Sequence, residues 1–380
     1  MPKNKRVSLI TLQYINNYGS VLQTYASQLY LESKGCSVEV VNYTRENCRF
    51  DSLKKSMRAY YKSKGFLFNL PFVSDLLVMR WQRLHKKRSH VFDSFRVDKI
   101  KFSHEYHSLV ELTDKPPMAD FYCVGSDQVW NYLYNDGVLP EYFLQYAPKV
   151  SKKFSLSSSF GVEKIDKPEY AELTKKYLAD FSLVTVREKS GKKILDSIGV
   201  SDSHQILDPT LLISGEEWIS VLGLKNTDQD KYVLVYQLNP CKQMDDFARN
   251  IADELGCRLI IITNNIRMSV PNAEMISNPT VERFLELILN AEHIVTDSFH
   301  GTAFSINFNK EFSAWLPSNY STRLLSVLEL LDLRDRAYIR SDDRWKCAPS
   351  INYQRVNLSL LKLREEANCL IDEVLFLDEN

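Results

Sequence analysis

Short apolar runs alternate with amphipathic stretches along the first half of the chain. Residues 7–12, 38–41 and 121–124 are rich in apolar and β-branched side chains and predict buried strands. Between the first two runs, apolar side chains recur on one helical face, at Val21, Leu22, Tyr25, Ala26, Leu29 and Tyr30. Lys34 and Gly35 then give a helix C-terminal signal. This β-α-β order predicts a parallel sheet and therefore an α/β fold.

The same alternation returns after residue 230. The pattern predicts strands at 232–236, 258–262 and 312–316, helices at 242–255, 281–290 and 321–331, and a closing amphipathic helix at 358–377. Asp208-Pro209-Thr210 is predicted to be an extended linker. The chain therefore divides into an N-terminal lobe, residues 1–212, and a C-terminal lobe, residues 213–380, with the change near 208–230.

Residues 293–308 join a predicted strand to an apolar helix through a polar turn. In an open α/β sheet, ligands bind where such turns follow the carboxyl ends of strands. The N–H groups that begin the next helix favour an anion, and His300 in the turn can exchange a proton near neutral pH. The alternative is that Asp297 and Ser298 only cap the helix and His300 is a hydrogen-bonded turn residue.

Two further polar turns follow predicted strands. Asp127 is placed to orient a sugar hydroxyl or take its proton; alternatively, Ser126 and Asp127 only cap the next helix. Trp130 offers a flat apolar face for a sugar, although burial is the default for tryptophan. Arg187 suits bidentate binding of a phosphate or carboxylate, or else pairs locally with Glu188.

Residues 53–101 differ from the rest of the chain in charge. They contain 13 lysines and arginines and three aspartates, interleaved with aromatic side chains. We interpret the segment as helices inserted over one lobe, within a larger insertion at about 45–115. Such a composition suits an anionic membrane surface or a lipid diphosphate. Single-stranded nucleic acid and a merely solvated face are the alternatives.

The composition of the whole chain narrows the function classes. Forty-eight basic and 48 acidic residues give a formal charge of zero, which argues against a basic surface for nucleic acid over the whole protein, although not against a local patch. We expect no nucleic-acid partner. Seven scattered cysteines without a C-x-x-C spacing are typical of the reducing cytoplasm. The apolar run near the N-terminus is too short for a signal peptide, and no apolar stretch reaches 18 residues. We therefore expect a cytoplasmic protein that is soluble or at most peripheral to a membrane.

Five motifs occur in the order that the polysaccharide pyruvyl transferase family shows, and the chain resembles that family over residues 7–335. They are Asn16-Asn-Tyr-Gly-Ser-Val-Leu-Gln-Thr-Tyr-Ala26, Val124-Gly-Ser-Asp-Gln-Val-Trp-Asn131, Val186-Arg-Glu-Lys-Ser-Gly191, Leu207-Asp-Pro-Thr-Leu211 and Thr296-Asp-Ser-Phe-His-Gly-Thr302. Residues 45–115 and the tail after about 340 lack the pattern, so the identity of the acceptor stays open.

The resemblance implies two Rossmann-like lobes with a central cleft, similar to two-lobed B-type glycosyltransferases. It implies transfer of the enolpyruvyl-derived unit of phosphoenolpyruvate onto two hydroxyls of one sugar, which gives a cyclic ketal and phosphate. The acceptor would be a sugar of an exopolysaccharide, capsule or cell-wall glycan, expected to be lipid-linked at the inner face of the membrane. Phosphoenolpyruvate would be a co-substrate, and the reaction needs no cofactor or metal.

The chemistry of that reaction assigns roles to residues of the turns. His300 is the candidate acid that protonates the methylene carbon, and Asp127 is the candidate base for an acceptor hydroxyl. Arg187 and Arg323 are expected to hold the phosphate. Gly19 either lets the backbone approach a ligand or the other lobe, or simply begins a helix. The remaining predicted substrate contacts are Asn17, Tyr18, Ser126, Gln128, Trp130, Ser298, Phe299, Gly301 and Thr302.

Two alternatives from other classes fit the same architecture. One is a glycosyltransferase that uses a nucleotide sugar, which a bound nucleoside diphosphate would favour. The other is a non-catalytic carbohydrate-binding protein, which ligand binding without turnover would favour. His104 and His107 lie three residues apart, and without a placed carboxylate partner we interpret them as surface residues rather than a metal site.

Overall fold

The computed structural model describes residues 5–63, 71–226, 231–263, 270–316, 322–339 and 348–376. The strands of the first lobe are β1 Arg6–Ile10, β2 Ser37–Tyr43, β3 Phe102–Tyr106, β4 Phe121–Val124, β5 Lys152–Ser155, β6 Thr185–Val186 and β7 His204–Gln205. Its helices are α1 Tyr18–Ser33, α2 Phe50–Ser63, α3 Pro71–Lys99, α4 Leu109–Asp114, α5 Tyr132–Asn135, α6 Pro168–Leu178 and α7 Lys189–Ser197.

Two helices, α8 Pro209–Leu212 and α9 Gly215–Leu222, lead into the second lobe. Its strands are β8 Tyr232–Gln237, β9 Arg258–Thr263, β10 Glu274–Ser277, β11 His293–Thr296, β12 Glu311–Trp315 and β13 Ala337–Tyr338. Its helices are α10 Lys242–Leu255, α11 Val281–Leu289, α12 Phe299–Asn307, α13 Thr322–Leu330 and α14 Tyr353–Phe376.

Every strand pairing between the described strands is parallel. The first sheet has the order β3-β2-β1-β4-β5, and the second has the order β10-β9-β8-β11-β12-β13. Single bridges from Phe154 to Leu183 and from Ser158 to Val186 place the β6–β7 pair beside β5. The structure therefore confirms the predicted α/β class, with two Rossmann-like sheets. In each sheet the strand order reverses at one point, between β1 and β4 and between β8 and β11.

Helix α1 lies between the two lobes and is buried on nearly all sides. Asn17 caps it by accepting a hydrogen bond from Gly19 N at 2.8 Å. Tyr18 stacks on Phe284 of α11 with ring centroids 4.2 Å apart, and its hydroxyl donates to Pro279 O at 2.6 Å. One apolar cluster therefore continues around α1 from the first lobe into the second.

The basic segment forms α2 and α3, apart from residues 64–70, which lie outside the described residues. These helices connect β2 to β3, and β3 pairs with β2 at the edge of the main sheet. The segment is therefore part of a crossover within the first lobe, and not only helices lying over it. Among the described helices, none combines the length and apolar character that crossing a bilayer requires.

The predicted extended linker at Asp208–Thr210 is wrong. Asp208 caps the short helix α8 by accepting from Thr210 N at 3.0 Å, and Pro209 occupies the first helical position. Proline is well suited to that position because its missing N–H has no intrahelical partner there. Asp208 and Thr210 are each about 1% exposed, so this connection passes through the interior.

The closing helix α14 returns to the first lobe. Asp372 accepts an ion pair from Lys34 Nζ at 3.0 Å, and Asn368 Oδ1 accepts from the Tyr30 hydroxyl at 2.9 Å. Lys5 Nζ also donates to the carbonyl of Leu375. The chain thus crosses between the lobes twice, once through α8 and α9 and once through α14.

Candidate active site

A cavity of about 240 Å³ lies between the lobes, at the two points where the strand order reverses. The first lobe contributes Leu12, Ile15, Asn17, Ser20, Asp127, Gln128 and Tyr134 to its lining. The second lobe contributes Leu238, Asn239, Asp297, Ser298, Phe299, His300, Arg323 and Leu324. The lining follows β1, β4, β8 and β11, so the turns that the sequence placed at strand ends meet around one space.

The N-terminus of α12 points at this cavity. Ser298 caps the helix by accepting from Gly301 N at 3.2 Å. Asp297 has a different role: its two carboxylate oxygens accept from Leu238 N at 2.6 Å and Asn239 N at 2.9 Å, which ties the turn after β8 to the turn after β11. A Cβ on Gly301 would lie 2.5 Å from Thr296 Oγ1, so glycine permits the close approach of α12 to β11.

His300 is 7% exposed and lies in the first turn of α12. Its Nε2 is buried without a hydrogen-bond partner and lies 3.9 Å from Asp208 Oδ1. Burial lowers the pKa of His300, while Asp208 and Asp127 partly oppose that shift. The unpartnered nitrogen disagrees with the alternative of a fully hydrogen-bonded turn histidine, because buried polar atoms normally have partners.

Gly19 of the first lobe touches the ring of His300. A Cβ at position 19 would lie 2.1 Å from His300 Nδ1, closer than any real contact. The helix start of α1 and the helix start of α12 can therefore approach each other only because residue 19 is glycine. We predicted that Gly19 either allows a close approach to a ligand or the other lobe or simply begins a helix. The observed contact with His300 agrees with a close approach to the other lobe.

Behind His300, three carboxylates surround the guanidinium of Arg187. Its nearest oxygens are those of Asp208 at 2.8 Å, Asp127 at 3.5 Å and Glu188 at 3.7 Å. Burial alone would lower the pKa of Arg187, but the three carboxylates raise it above its usual value. Burial alone would raise the pKa of Asp208, but Arg187 and His300, together with hydrogen bonds from Thr210, lower it. Both groups therefore stay charged inside the protein.

Arg187 is thus placed differently from its predicted role as a direct phosphate ligand. Its side chain is 2% exposed, and it is absent from the cavity lining. The centroid of the Phe299 ring lies 4.3 Å from the guanidinium carbon of Arg187. Phe299 itself lines the cavity. Arg187 instead holds Asp127 and Asp208 in position.

Asp127 reaches the cavity from the turn after β4. Its Oδ2 accepts from the Ser20 hydroxyl at 3.0 Å, and its backbone has a positive φ of 65°. Burial, followed by the charge of Asp127, raises the pKa of the neighbouring Tyr134 to about 12. Tyr134 therefore stays a neutral hydroxyl beside a carboxylate at the cavity wall.

Seven of the predicted site residues line the cavity, and seven do not. The lining residues are Asn17, Asp127, Gln128, Ser298, Phe299, His300 and Arg323. The others are Tyr18, Gly19, Ser126, Trp130, Arg187, Gly301 and Thr302. Several residues of the second group instead contact side chains that line the cavity or lie next to it. The Ser126 hydroxyl, for example, lies 2.8 Å from Asp208 Oδ2.

The structure contradicts substrate contacts for Trp130, Tyr18 and Thr302. Trp130 is 3% exposed, stacks on Phe143 and donates from Nε1 to the carbonyl of Tyr142 at 2.8 Å, so no sugar can reach its face. The side chains of Tyr18 and Thr302 are fully buried away from the cavity. The alternative of ordinary burial for Trp130 is the one observed.

The sequence analysis missed several residues of the site. Asp208 is the most important, because it pairs with Arg187 and lies beside His300. The Asp-Pro-Thr sequence does contain a helix-cap signal, aspartate followed by proline at the first helical position, which was available as a clue. Ser20, Tyr134 and Asn239 also line the cavity without having been predicted.

Three solved structures with a similar overall arrangement share little sequence identity with the chain. The UDP-GlcNAc 2-epimerase of Neisseria meningitidis, bound to UDP-GlcNAc, gives a TM-score of 0.48 at 14% identity over 97% of this chain and 94% of its own. The UDP-GlcNAc 2-epimerase of Methanocaldococcus jannaschii gives 0.48 at 12% identity over 94% and 91%. The spinosyn forosaminyltransferase SpnP gives 0.44 at 13% identity over 98% and 95%.

Sequence comparison gives the decisive result. No curated protein matches the chain. The family model for polysaccharide pyruvyl transferase matches residues 17–314, a span that starts at the cap of α1, ends in β12 and contains the candidate acid and base. As the five turn motifs predicted, the chain belongs to the polysaccharide pyruvyl transferase family.

Proposed function

We propose that the protein transfers the pyruvyl unit of phosphoenolpyruvate to two hydroxyls of one sugar, forming a cyclic ketal in the synthesis of an exopolysaccharide, capsule or cell-wall glycan. The observation that carries this proposal is His300 Nε2. It is a buried nitrogen with no hydrogen-bond partner, at a helix N-terminus and in the wall of an interlobe cavity. Membership of the family supplies the reaction class.

The proposed reaction balances without an oxidant or a metal. Two sugar oxygens form bonds to C2 of phosphoenolpyruvate, and the bond from C2 to the phosphate oxygen breaks. The methylene carbon gains one proton and becomes a methyl group. Of the two hydroxyl protons released, one matches that gain and the other leaves with the phosphate. An acid must therefore reach the methylene carbon, and a base must reach the attacking hydroxyls.

The cavity has features that suit a small substrate with two anionic groups. Its volume of about 240 Å³ is below the roughly 300–1,000 Å³ of pockets for drug-sized ligands. Arg323 lines it, and the N-terminus of α12 adds the positive end of a helix dipole. Asp297 also lines it, but backbone N–H groups of residues 238 and 239 occupy its oxygens. We assign phosphoenolpyruvate to the α12 side of the cavity.

His300 is proposed to receive its proton together with the substrate. Burial holds its pKa below the usual value, while Asp208 and Asp127 favour the protonated ring. A bound phosphate or carboxylate would add further negative charge nearby and raise the pKa again. The imidazolium could then protonate the methylene carbon, while Asp127, which lines the same cavity from the first lobe, accepts the proton of a sugar hydroxyl.

The acceptor is proposed to be lipid-linked and presented at the cytoplasmic face of a membrane. Exposed cations lie on α2 and α3 next to exposed apolar side chains. The cations are Lys55, Arg58, Arg80, Arg83, Lys86 and Lys87. The apolar side chains are Tyr60, Leu76, Met79 and Leu84. Cations combined with shallow apolar groups favour binding to an anionic bilayer.

Isotope-labelled phosphoenolpyruvate offered with free and lipid-linked sugars tests the reaction. We expect label in the sugar product and one phosphate released per transfer, with both lost in His300→Gln. Transfer from a nucleotide sugar, with no use of phosphoenolpyruvate, would replace the proposal with a glycosyltransferase. Tight sugar binding without any turnover would replace it with a binding protein.

Vesicle sedimentation tests the membrane part separately. Replacing Arg80, Arg83, Lys86 and Lys87 by glutamine should weaken binding to anionic vesicles and make the remainder salt-sensitive, because screened surface charges carry the attraction. Phosphoenolpyruvate affinity should stay nearly unchanged, since these side chains are remote from the cavity lining. If the wild type ignores such vesicles and soluble acceptors react equally well, the segment is only a solvated surface.

A further inference from the structure

A second, larger cavity lies beside the interlobe cavity. It measures about 860 Å³ and is enclosed by the crossover helices α2 and α3 on one side and by the loops after β1 and β2 on the other. Ile15 and Tyr134 line both cavities, so the two spaces meet at these side chains. A ligand in the larger cavity would have to pass these two side chains to approach Asp127 and His300.

Three arginines line this second cavity, and two of them lack a carboxylate partner among the described residues. Arg96 is neutralised by Asp93 at 2.8 Å. Arg88 donates from Nη2 to the carbonyl of Asn16 at 2.6 Å, and its Nε is buried with no hydrogen-bond partner. Arg49 donates to the carbonyls of residues 44 and 107.

The other ionisable groups in the wall do not offset the positive charges of Arg88 and Arg49. Glu105 also lines the cavity, but its side chain is 62% exposed and lies 3.8 Å from His107, so water screens it. Burial, and then the charge of Arg88, lowers the pKa of His85, so its ring is neutral at pH 7 and adds no charge to the wall. A partly buried guanidinium with an unused N–H is a strong site for an oxyanion, because charge-assisted hydrogen bonds are shorter and stronger than neutral ones.

Aromatic side chains also line the second cavity. Phe50 and Tyr14 line the cavity, and Phe50 stacks on Trp81 at 5.9 Å. A volume of about 860 Å³ lies within the range of pockets that enclose a ligand of several rings. Aromatic faces beside cations fit a sugar that carries a phosphate better than they fit a bare inorganic ion.

We infer that this second cavity is the acceptor subsite and that it takes a sugar phosphate, with Arg88 and Arg49 holding the phosphate and the sugar hydroxyls passing Ile15 and Tyr134 toward Asp127. The inference rests on the proposed function, since it names the acceptor of that reaction. The shared chemistry is a glycosyl phosphate, whether it is free or attached to a lipid.

Calorimetric titration of the full chain with glucose 1-phosphate, with and without saturating phosphoenolpyruvate, tests the subsite. We expect binding in both conditions and an affinity about tenfold or more weaker in Arg88→Gln, the scale of one lost hydrogen bond to a charged group. Arg49→Gln should behave in the same direction, which keeps the test valid if Arg88→Gln fails to fold. Arg355→Gln, at an exposed position of α14 that lines neither cavity, is the matched control and should bind as the wild type does.

Each other outcome has a defined meaning. Equal affinity in the wild type and both cavity variants, or displacement of glucose 1-phosphate by phosphoenolpyruvate, would overturn the subsite. Equal binding of inorganic phosphate would reduce it to a simple anion site and overturn the sugar-phosphate assignment. Stronger binding of a lipid-linked sugar phosphate with the same dependence on Arg88 would identify the lipid-borne form as the acceptor. Failure of phosphoenolpyruvate alone to bind would overturn the proposed function while leaving the subsite standing.

Discussion

Two buried histidines lie in the same strand–turn–helix unit, one at the start of the strand and one at the start of the helix, and their surroundings differ. His293 begins β11, is 3% exposed, and places Nε2 2.9 Å from the hydroxyl of Ser313. His300 lies in the first turn of α12, is 7% exposed, and has no hydrogen-bond partner on Nε2. At the start of the strand, the ring nitrogen Nε2 of His293 has a hydrogen-bond partner. At the start of the helix, Nε2 of His300 has none.

The difference also shows in the charges that face each ring. Burial, and then the positive charge of Arg336, lowers the pKa of His293 to about 4. Burial lowers the pKa of His300 as well, but Asp208 and Asp127 act in the opposite direction. His293 is therefore held neutral, while His300 keeps carboxylates that can stabilise an added proton. Both histidines are buried, so the atoms that surround each ring distinguish them, and burial does not.

The sharpest contrast is expected in turnover. His300→Gln should lower it by about 10²–10⁴-fold, the usual loss when a general acid is removed, because glutamine cannot carry the proton. That range corresponds to roughly 3–5 kcal/mol of barrier. Kinetics with a working acceptor and a melting curve for each variant provide the measurement.

His293→Gln is the matched control for this variant. Glutamine can still bond the hydroxyl of Ser313, so turnover should stay within about twofold of the wild type while the free energy of unfolding falls by about 1 kcal/mol. Near-normal turnover in His300→Gln would remove the acid role. A turnover defect in His293→Gln as large as that of His300→Gln would show that the two histidines do not differ in their role in turnover.

The stability of the protein should depend on pH through His293. Above pH 6.5, His293 is neutral in both the folded and the unfolded chain; between pH 6.5 and about 4, only the unfolded chain binds the proton. The free energy of unfolding therefore falls as the pH falls through this window, by up to about 3 kcal/mol from this residue. Urea unfolding at pH 7 and pH 4.5 should show a smaller drop for His293→Gln than for the wild type. Parallel losses in both proteins would show that Arg336 and burial do not hold the ring neutral.

A smaller effect is expected from the contact that positions His300. Gly19→Ala introduces a Cβ 2.1 Å from His300 Nδ1, so the ring must move. We expect turnover to fall by about 10- to 100-fold, since a displacement of about 1 Å can cost 10²-fold. The cost of overpacking, roughly 1–3 kcal/mol, is partly offset by the roughly 1 kcal/mol higher helix propensity of alanine.

The double variant Gly19→Ala with His300→Gln shows whether the effect passes through the histidine. If it does, the second substitution should add little to the loss caused by His300→Gln alone, because coupled residues are not additive. Full additivity would mean that the glycine matters for the fold of α1 and not for the position of the ring.

The sequence was sufficient for elements whose signals are local. Helix α10 matches its predicted span of 242–255 because an amphipathic pattern ends at Gly256, which adopts the left-handed conformation that glycine allows. The strands β4 and β8 were recognisable as apolar runs of the right length between turns. His300 and Asp127 were identified because each follows such a run, and both line the cavity.

The parts that could not be predicted depend on contacts between distant positions. Arg187 was assigned to a phosphate because its charge is visible in the sequence, but the carboxylate of Asp208 that occupies it comes from another turn. Asp208 itself looked like a linker residue because nothing local reveals that it is buried beside His300. Trp130 carries no local sign that Phe143 and Phe160 cover its ring. Pairing and burial of this kind are fixed only by the tertiary fold.

The two crossings of the chain between the lobes also constrain how the cleft can open. One passes through α8, and the other is the return of α14, which Lys34 and Tyr30 fasten to the first lobe. A body attached to another at two places rotates most easily about the line that joins them, as in a door with two hinges. Asp208 caps α8, at one of these attachments, and lies 3.9 Å from His300. His300 is therefore close to the expected axis, where displacement is smallest, and the far rim of the cleft would swing through the widest arc when the lobes move apart.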